Sequence, residues 1–397
     1  MKTHPRPQDC AGLQSALGRA RAVERELEDE LESLPEDESA RRAMAWLAEQ
    51  NLTSWMVPSA FGGADTEGLA SPETVSVQAV AALRSELSFA SGMLDVMLVM
   101  QGLGSYPIAL GGSEQLKAQI LPKVANGSLL AAFGLTEPGA GSSLGEVSTR
   151  AAHGGDEWVL TGQKTFITNA GLADFYTVLA RTSGTPGGRD GGDGLTMFFV
   201  PADSLGLDVK RFEVMAPHPI GEVHFSAVRI PDTYRLGPVN GGLAIALGTL
   251  ARFRTTVAAA ACGFARRALT ESRSHLNSRE QFGKPLSANQ GLRFDLAEME
   301  TRLIAAELLT ERAARRSDEL GEVAARDVAR AKLFATEAAA YIVDRAVQHH
   351  GGLGVKRGTP VERIYREIRA LRIYEGTSEV QKLILAKALL QHGPDQI

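Results

Sequence analysis

The chain has 397 residues, 44% of them apolar, with 42 basic against 47 acidic side chains and a formal net charge of -5. That length leaves room for two or three domains with substantial cores, the charge balance argues against a nucleic-acid footprint, and no run of 18 apolar residues reads as a membrane span. Two cysteines, Cys10 and Cys262, support neither a disulfide framework nor a metal cluster; Cys262 lies in an Ala-rich run that suits a small buried thiol.

At the N-terminus, Lys2 and Arg6 have no apolar stretch behind them, so the segment does not read as a secretory signal and a cytoplasmic location is expected. Residues 13–50 follow a helical pattern, with the charged run 19–38 as a solvated face and a break at Pro35. A turn-rich connector over 55–63 leads to helical segments at 72–87, 91–103 and 113–125, giving an all-α domain over residues 1–130. The period then changes. Short β-branched or aromatic runs at 158–160, 165–168, 175–180, 195–200 and 223–230 predict a small antiparallel barrel or sandwich over 131–237. The Gly-rich stretch 183–194 between two of them reads as a flexible loop, not a nucleotide fingerprint. Long helical patterns return at 241–277, 289–318, 324–350 and 378–391, a bundle over 238–397. Helices, strands, then helices predict an α+β chain of three consecutive domains and argue against a doubly wound sheet.

Several stretches carry chemistry. In the loop 132–143 the small residues Gly139, Ala140 and Gly141 would let backbone N–H groups approach a planar or anionic ligand, with Thr136 and Ser142 as hydroxyl donors; an interdomain turn has the same composition. Arg279 could pair with a phosphate. The glycines after Gln348-His349-His350 could admit a phosphate or an adenine edge, although a helix C-terminus asks for Gly there in any case. His349 and His350 have no metal spacing and read as structural. Near the C-terminus, Glu375 and Gly376 precede a helix whose start is signalled by Ser378 and Gln381 in capping-box spacing. A carboxylate thus stands beside unpaired N–H groups, a base and donors in one segment.

Taken together, Leu135-Thr136-Glu137-Pro138-Gly139-Ala140-Gly141-Ser142, the run 161–170, Arg279 to Gly283, Gln290, Gln348 to Gly354, Pro360-Val361-Glu362-Arg363 and Tyr374 to Gln381 resemble, in order and spacing, the acyl-CoA dehydrogenase family over nearly the full length. The resemblance implies an N-terminal helical domain, a small β domain and a C-terminal four-helix bundle, assembled as a homotetramer with FAD between β domain and bundle. It implies that Phe133, Leu135, Thr136, Gly141 and Ser142 line the flavin, and that Phe166, Ile167 and Thr168 contact its ring. Arg279, Phe282, Gln290, Gln348, Gly351 and Gly352 would hold the pyrophosphate and adenosine part of a neighbouring subunit's FAD, with Thr377 and Glu379 near the flavin. Ser142, Arg254, Tyr374 and Gly376 would lie by the acyl-CoA, and no metal is implied.

The implied reaction is conversion of an acyl-CoA to a trans-2-enoyl-CoA, as in fatty acid metabolism. Glu375 takes the α proton, the β-hydrogen passes as hydride to flavin N5, and an electron-transferring flavoprotein is the common acceptor. Coenzyme A or a carrier protein could bear the acyl group. Three positions depart from the family pattern: Ser143 for Asp, Phe166 for Trp and Gly358 for an acidic residue. A minority of the family places its base where this chain has Phe253, which leaves Glu375 as the family-type carboxylate. The alternatives are an oxygen-using acyl-CoA oxidase, a flavin-dependent hydroxylase, which Glu375 disfavours, and a non-catalytic flavin-binding partner subunit.

Overall fold

The computed structural model describes residues 5–187 and 193–393; residues 188–192 of the Gly-rich stretch and residues 1–4 lie outside the described residues. The chain divides into two compact units. One comprises Met1–Ala16, Glu24–Ser76 and Val96–Phe253, the other Leu17–Val23, Val77–Asp95 and Arg254–Ile397.

The chain opens with helices α1 (Ala11–Arg21), α2 (Arg25–Ser33) and α3 (Glu36–Glu49), the last two parted at Pro35 as expected, then α4 (Val77–Ala90), α5 (Gly92–Gly111) and α6 (Glu114–Ala125). Strands follow: β1 (Ala131–Gly134), β2 (Arg150–Gly154), β3 (Glu157–Thr168), β4 (Phe175–Arg181), β5 (Leu195–Pro201), β6 (Leu207–Arg211), β7 (Ile220–Pro231) and β8 (Arg235–Leu236). All eight belong to the first unit and form one sheet in the order β6-β7-β3-β2-β4-β5-β8, with β1 beside β4. The sheet is mixed, not purely antiparallel. β1 and β2 both run parallel to β4, whereas the other pairs are antiparallel.

The two short runs expected at 158–160 and 165–168 are the ends of the single strand β3. Its pairing with β7 slips between Leu160 and Gly162 and again between Lys164 and Ile167. At the second bulge Phe166 takes φ +55 and its ring is 60% exposed, edge-on to Phe212 at 5.2 Å. A bulge re-aims one side chain while its neighbours stay in the ladder, and here Ile167 remains in the core with Leu160, Tyr176, Phe198 and Phe225. Phe253 ends this unit fully buried, edge-on to Tyr106 at 5.9 Å, and a Cβ at Gly102 would overlap its ring.

The second unit holds α4, the later part of α7 (Gly242–Ser278), α8 (Gln290–Leu320), α9 (Ala325–His350), α10 (Pro360–Leu371) and α11 (Ser378–His392). Its core alternates small and large side chains, with Ala258, Ala261, Ala265, Ala331, Ala335 and Ala339 packed among Met299, Leu303, Ile342 and Val343. α10 adds a helix the periodicity reading does not separate; it buries Val361, Ile364, Ile368 and Leu371, one stripe at three- and four-residue spacing. α11 starts at Ser378, but the expected Ser378/Gln381 box is absent. Thr377 is the N-cap, its hydroxyl accepting from the Val380 N–H at 3.3 Å, while the Ser378 hydroxyl donates to Glu337 at 2.7 Å and the Gln381 amide to the Gly376 carbonyl at 2.9 Å. By length and composition α5 and α7 could each cross a membrane, yet 89% and 56% of their most apolar windows are buried inside the protein.

Candidate active site

The turn between α10 and α11 has two consecutive left-handed residues, Glu375 at φ +53 and Gly376 at φ +90. A non-glycine residue is strained there, so the surrounding packing has to enforce it. The enforcement is visible in the carbonyls. Arg254 donates from Nε to the Glu375 carbonyl at 2.8 Å, and Lys332 and Gln381 donate together to the Gly376 carbonyl at 2.6 and 2.9 Å. Among the described residues the Glu375 N–H has no acceptor, and the Glu375 Oε2 is closed to solvent without a hydrogen-bond partner.

Charge gathers around that carboxylate. Arg84, on α4, is bound to Asp95 and donates to the Thr256 hydroxyl at 2.9 Å, two residues beyond Arg254 on α7. Burial pushes the Glu375 carboxyl above its ordinary range, and Arg84, Arg254 and Lys332 pull the other way. Burial likewise brings the Lys332 ammonium down to about 8, against the attraction of Glu375. The structure thus brings together Arg254, Tyr374, Glu375 and Gly376 from the sequence reading. It adds Arg84, Asp95, Lys332 and Gln381, which the sequence reading did not assign to the site. Thr377 serves as helix cap, and Glu379 is exposed on the first turn of α11.

A second set lies at one end of the bundle. His349, buried on α9, bonds through Nδ1 to Ser272 of α7 at 2.6 Å and through Nε2 to Asp295 of α8 at 3.0 Å, and His350 stacks on His275 at 4.4 Å. Ser272 is fully buried, so this chain of groups is a brace and not a nucleophile. It draws the end of α7, the start of α8 and the end of α9 to one place, and with them Arg279, Gln290, Gln348, Gly351 and Gly352, all exposed. Phe282, at φ +54, is 97% exposed at the tip of the hairpin formed by β9 (Glu280–Gln281) and β10 (Lys284–Pro285). Gly358 donates to Glu362 at 3.0 Å from φ +89, a backbone state that explains glycine in place of the acidic residue.

In the first unit, the loop after β1 is pinned by a buried ion pair. Lys164 donates to Glu137 Oε1 at 2.7 Å and to the Leu135 carbonyl at 3.0 Å, and the Thr165 N–H donates to the Thr136 carbonyl at 2.9 Å. Glu137 also accepts from the Ser148 N–H and hydroxyl and the Thr149 N–H. Burial opposes the Glu137 charge, but Lys164 and these donors outweigh it and hold its carboxyl at about 2. The loop itself stays open. Gly141, Ser142 and Ser143 are exposed, and a Cβ at Gly139 or Gly141 would meet nothing within 4 Å. Phe133 lies in β1, and Leu135 and Ile167 are buried, so those two offer backbone, not side chain. Thr168 bonds His218 Nε2 at 2.8 Å, and burial, with Arg211, pushes that imidazole down to about 4, neutral at pH 7.

A flavin dinucleotide needs a flat apolar surface, open backbone donors and a cation for its pyrophosphate. Taken separately, the first unit offers the exposed Phe166 ring and the open Gly139 to Ser142 loop, and the second unit the exposed Arg279 and the open glycines 351 and 352, so the kinds of residue present fit FAD.

Family descriptions match along the chain: "Acyl-CoA dehydrogenase, N-terminal domain" over residues 18–128, "middle domain" over 132–228 and "C-terminal domain" over 240–390. A 3-(aryl)acrylate reductase of Clostridium sporogenes is 36% identical over 349 residues, covering 87% of this chain and 89% of that protein. A cyclohexane-1-carbonyl-CoA dehydrogenase of Geobacter metallireducens is 34% identical over 353 residues, covering 88% and 89%. A glutaryl-CoA dehydrogenase from Mycobacterium smegmatis, solved in complex with FADH2, superposes with a TM-score of 0.82 at 27% identity, covering 97% of this chain and 96% of that one.

Proposed function

The chain belongs to the acyl-CoA dehydrogenase family, FAD-dependent enzymes that dehydrogenate acyl-CoA thioesters, and from that premise we infer that Glu375 is the base that removes the α proton. One observation carries the reading: a sealed carboxylate oxygen without a partner lies beside a backbone N–H without an acceptor, on the same strained residue.

A thioester whose carbonyl oxygen accepts from the Glu375 N–H presents its α carbon to the carboxylate. As the proton moves to Glu375, negative charge grows on that oxygen, and the N–H holds it while Arg84, Arg254 and Lys332 supply the surrounding positive field. One such donor contributes about 3 to 4 kcal/mol, and a positioned base about 10² to 10⁴ in rate. Bound FAD supplies the two-electron acceptor for the hydride that leaves the β carbon, completing a trans-2-enoyl thioester. The residues that would hold it are Phe133, Leu135, Thr136, Gly141, Ser142 and 166–168 on the flavin side, to which the family resemblance adds Thr377 and Glu379. Arg279, Phe282, Gln290, Gln348, Gly351 and Gly352 would take its pyrophosphate and adenosine part. The same groups run the reverse reaction with Glu375 as acid, which accommodates the reductase among the relatives.

A homotetramer is part of this reading, supported by apolar side chains left exposed on α8 (Phe294, Ile304, Leu308) and α11 (Leu383, Leu389, Leu390). So are an electron-transferring flavoprotein as acceptor and a cytoplasmic location. The test is an anaerobic titration of the FAD-loaded protein with acyl-CoA and acyl-carrier thioesters, following flavin absorbance. Bleaching by one class supports dehydrogenation and identifies the substrate. A flavin that no thioester reduces overturns the reading in favour of a partner subunit, and stoichiometric peroxide in air marks an oxidase.

A further inference from the structure

We propose that Lys332 is a positioning residue for the α-proton step: by holding the Gly376 carbonyl it fixes the left-handed turn that presents the Glu375 carboxylate and N–H to the thioester. The inference rests on the dehydrogenation reading above.

Lys332 is fully buried on the stripe of α9 that also buries Ala331, Ala335 and Ala339. An ammonium in such surroundings is costly unless something compensates it, and a hydrocarbon of the same length would pack there without that cost. Its one hydrogen-bond acceptor among the described residues is the Gly376 carbonyl, at 2.6 Å. A carbonyl has two lone pairs, and Gln381, also fully buried, takes the second at 2.9 Å. Arg254 takes the preceding carbonyl at 2.8 Å. Two successive carbonyls are therefore drawn toward cationic and amide donors, and the N–H of Glu375 is left without an intramolecular acceptor among the described residues.

A left-handed Glu is strained relative to ordinary backbone, so the turn relaxes if its clamps are weakened. Lys332 supplies the one clamp that comes from α9. Arg254 comes from α7, and Gln381 belongs to the helix the turn leads into. The charged groups that act on the ammonium are Glu375, Arg254, Glu337 and Glu379, and Arg84 and Asp95 act in turn on Glu375. Below pH about 8 it contributes positive charge; above that the neutral amine still donates to Gly376 but the charge is gone.

Lys332→Met removes donor and charge, and Lys332→Gln keeps an amide donor on a shorter arm. The experiment uses the FAD-loaded enzyme and two readouts: steady-state kcat and KM with the best acyl thioester, and the ultraviolet enolate absorbance of bound acetoacetyl-CoA, a 3-oxoacyl thioester that ionises at its α carbon without being oxidised. We expect Lys332→Met to keep flavin and melting temperature, to lose about 10- to 100-fold in kcat with KM little changed, and to lose enolate signal in parallel. Lys332→Gln recovers part of both, and the wild-type alkaline limb near pH 8 is missing from Lys332→Met. Wild-type kcat and enolate signal in Lys332→Met overturn the proposal, as does a loss of activity matched by lost flavin or lost fold in both variants. If the wild-type protein neither bleaches with thioesters nor ionises acetoacetyl-CoA, it is the dehydrogenation reading that has failed.

Discussion

The Arg84 guanidinium meets the Asp95 carboxylate through two bonds, 2.8 Å from Nε and 2.6 Å from Nη2, with both side chains closed to solvent. Taking one partner away strands a buried charge. Arg84→Met is expected to destabilise the protein by about 3 to 5 kcal/mol in urea unfolding, whereas Arg84→Met/Asp95→Leu regains most of that loss because hydrocarbon replaces the whole pair. In the double variant the acid limb of kcat moves to higher pH: of the charges around Glu375, Arg84 has the largest lowering influence, greater than the raising influence of Asp95. An unchanged limb would remove Arg84 from the control of the base.

Glu375→Gln keeps the left-handed turn and the N–H but cannot accept a proton. It is expected to bind FAD and melt as wild type while losing about 10² to 10⁴ in the rate of flavin bleaching by substrate in stopped flow. The wild-type pH profile follows from the same group. In the proposed role Glu375 works only when ionised, and burial raises its carboxyl, so kcat/KM is expected to fall on the acid side at a pH above the ordinary 4.5.

Glu137 makes acid stability predictable. Its folded carboxyl at about 2 lies below the ordinary 4.5, so the unfolded chain binds more protons between those values; the contribution is complete above pH 4.5 and disappears as pH falls toward 2. Melting temperatures measured across that window should drop steeply in the wild type and less so in Lys164→Met, where Glu137 has lost its partner. At pH 7 Lys164→Met is expected to cost about 3 to 5 kcal/mol.

Phe166 projects from its bulge into solvent, so Phe166→Ala should leave the fold intact and loosen the flavin. An aromatic contact of about 1 kcal/mol corresponds to roughly fivefold weaker FAD binding, which flavin fluorescence on dilution would register. Equal retention of FAD in the variant would place the flavin ring elsewhere.

The sequence revealed the periodic parts of the fold and hid the short and the scattered ones. Long helices such as α8 and α9 announce themselves over many turns, so the periodicity gives their bounds to within two residues. β1, with its small residues Ala131, Ala132 and Gly134, has no alternation to read, and β3 looked like two strands because Gly162 and Phe166 interrupt its period. α10 follows a Gly-rich run and begins with Pro360, so its four-residue motif stood out before its buried stripe did. Within the candidate site, Glu375 and Arg254 were legible because each belongs to a stretch of family form. Arg84, Asp95 and Lys332 were not, because isolated charges in apolar helices look like ordinary surface residues until the chain brings positions 84, 254, 332 and 375 together. The spacing of Gln381 suggests a cap, whereas in the fold its amide serves the Gly376 carbonyl.

Phe253 bears on where a base can stand as well as on packing. A carboxylate at that position serves as base in a minority of the family, but here the ring fills a space that leaves no room even for a methyl at Gly102. Glutamate at 253 would bury an uncompensated charge and open a void, so packing closes that position to a carboxylate. On the proposed role of Glu375, moving the base to position 253 would first cost this chain the packing of Phe253 against Tyr106 and Gly102.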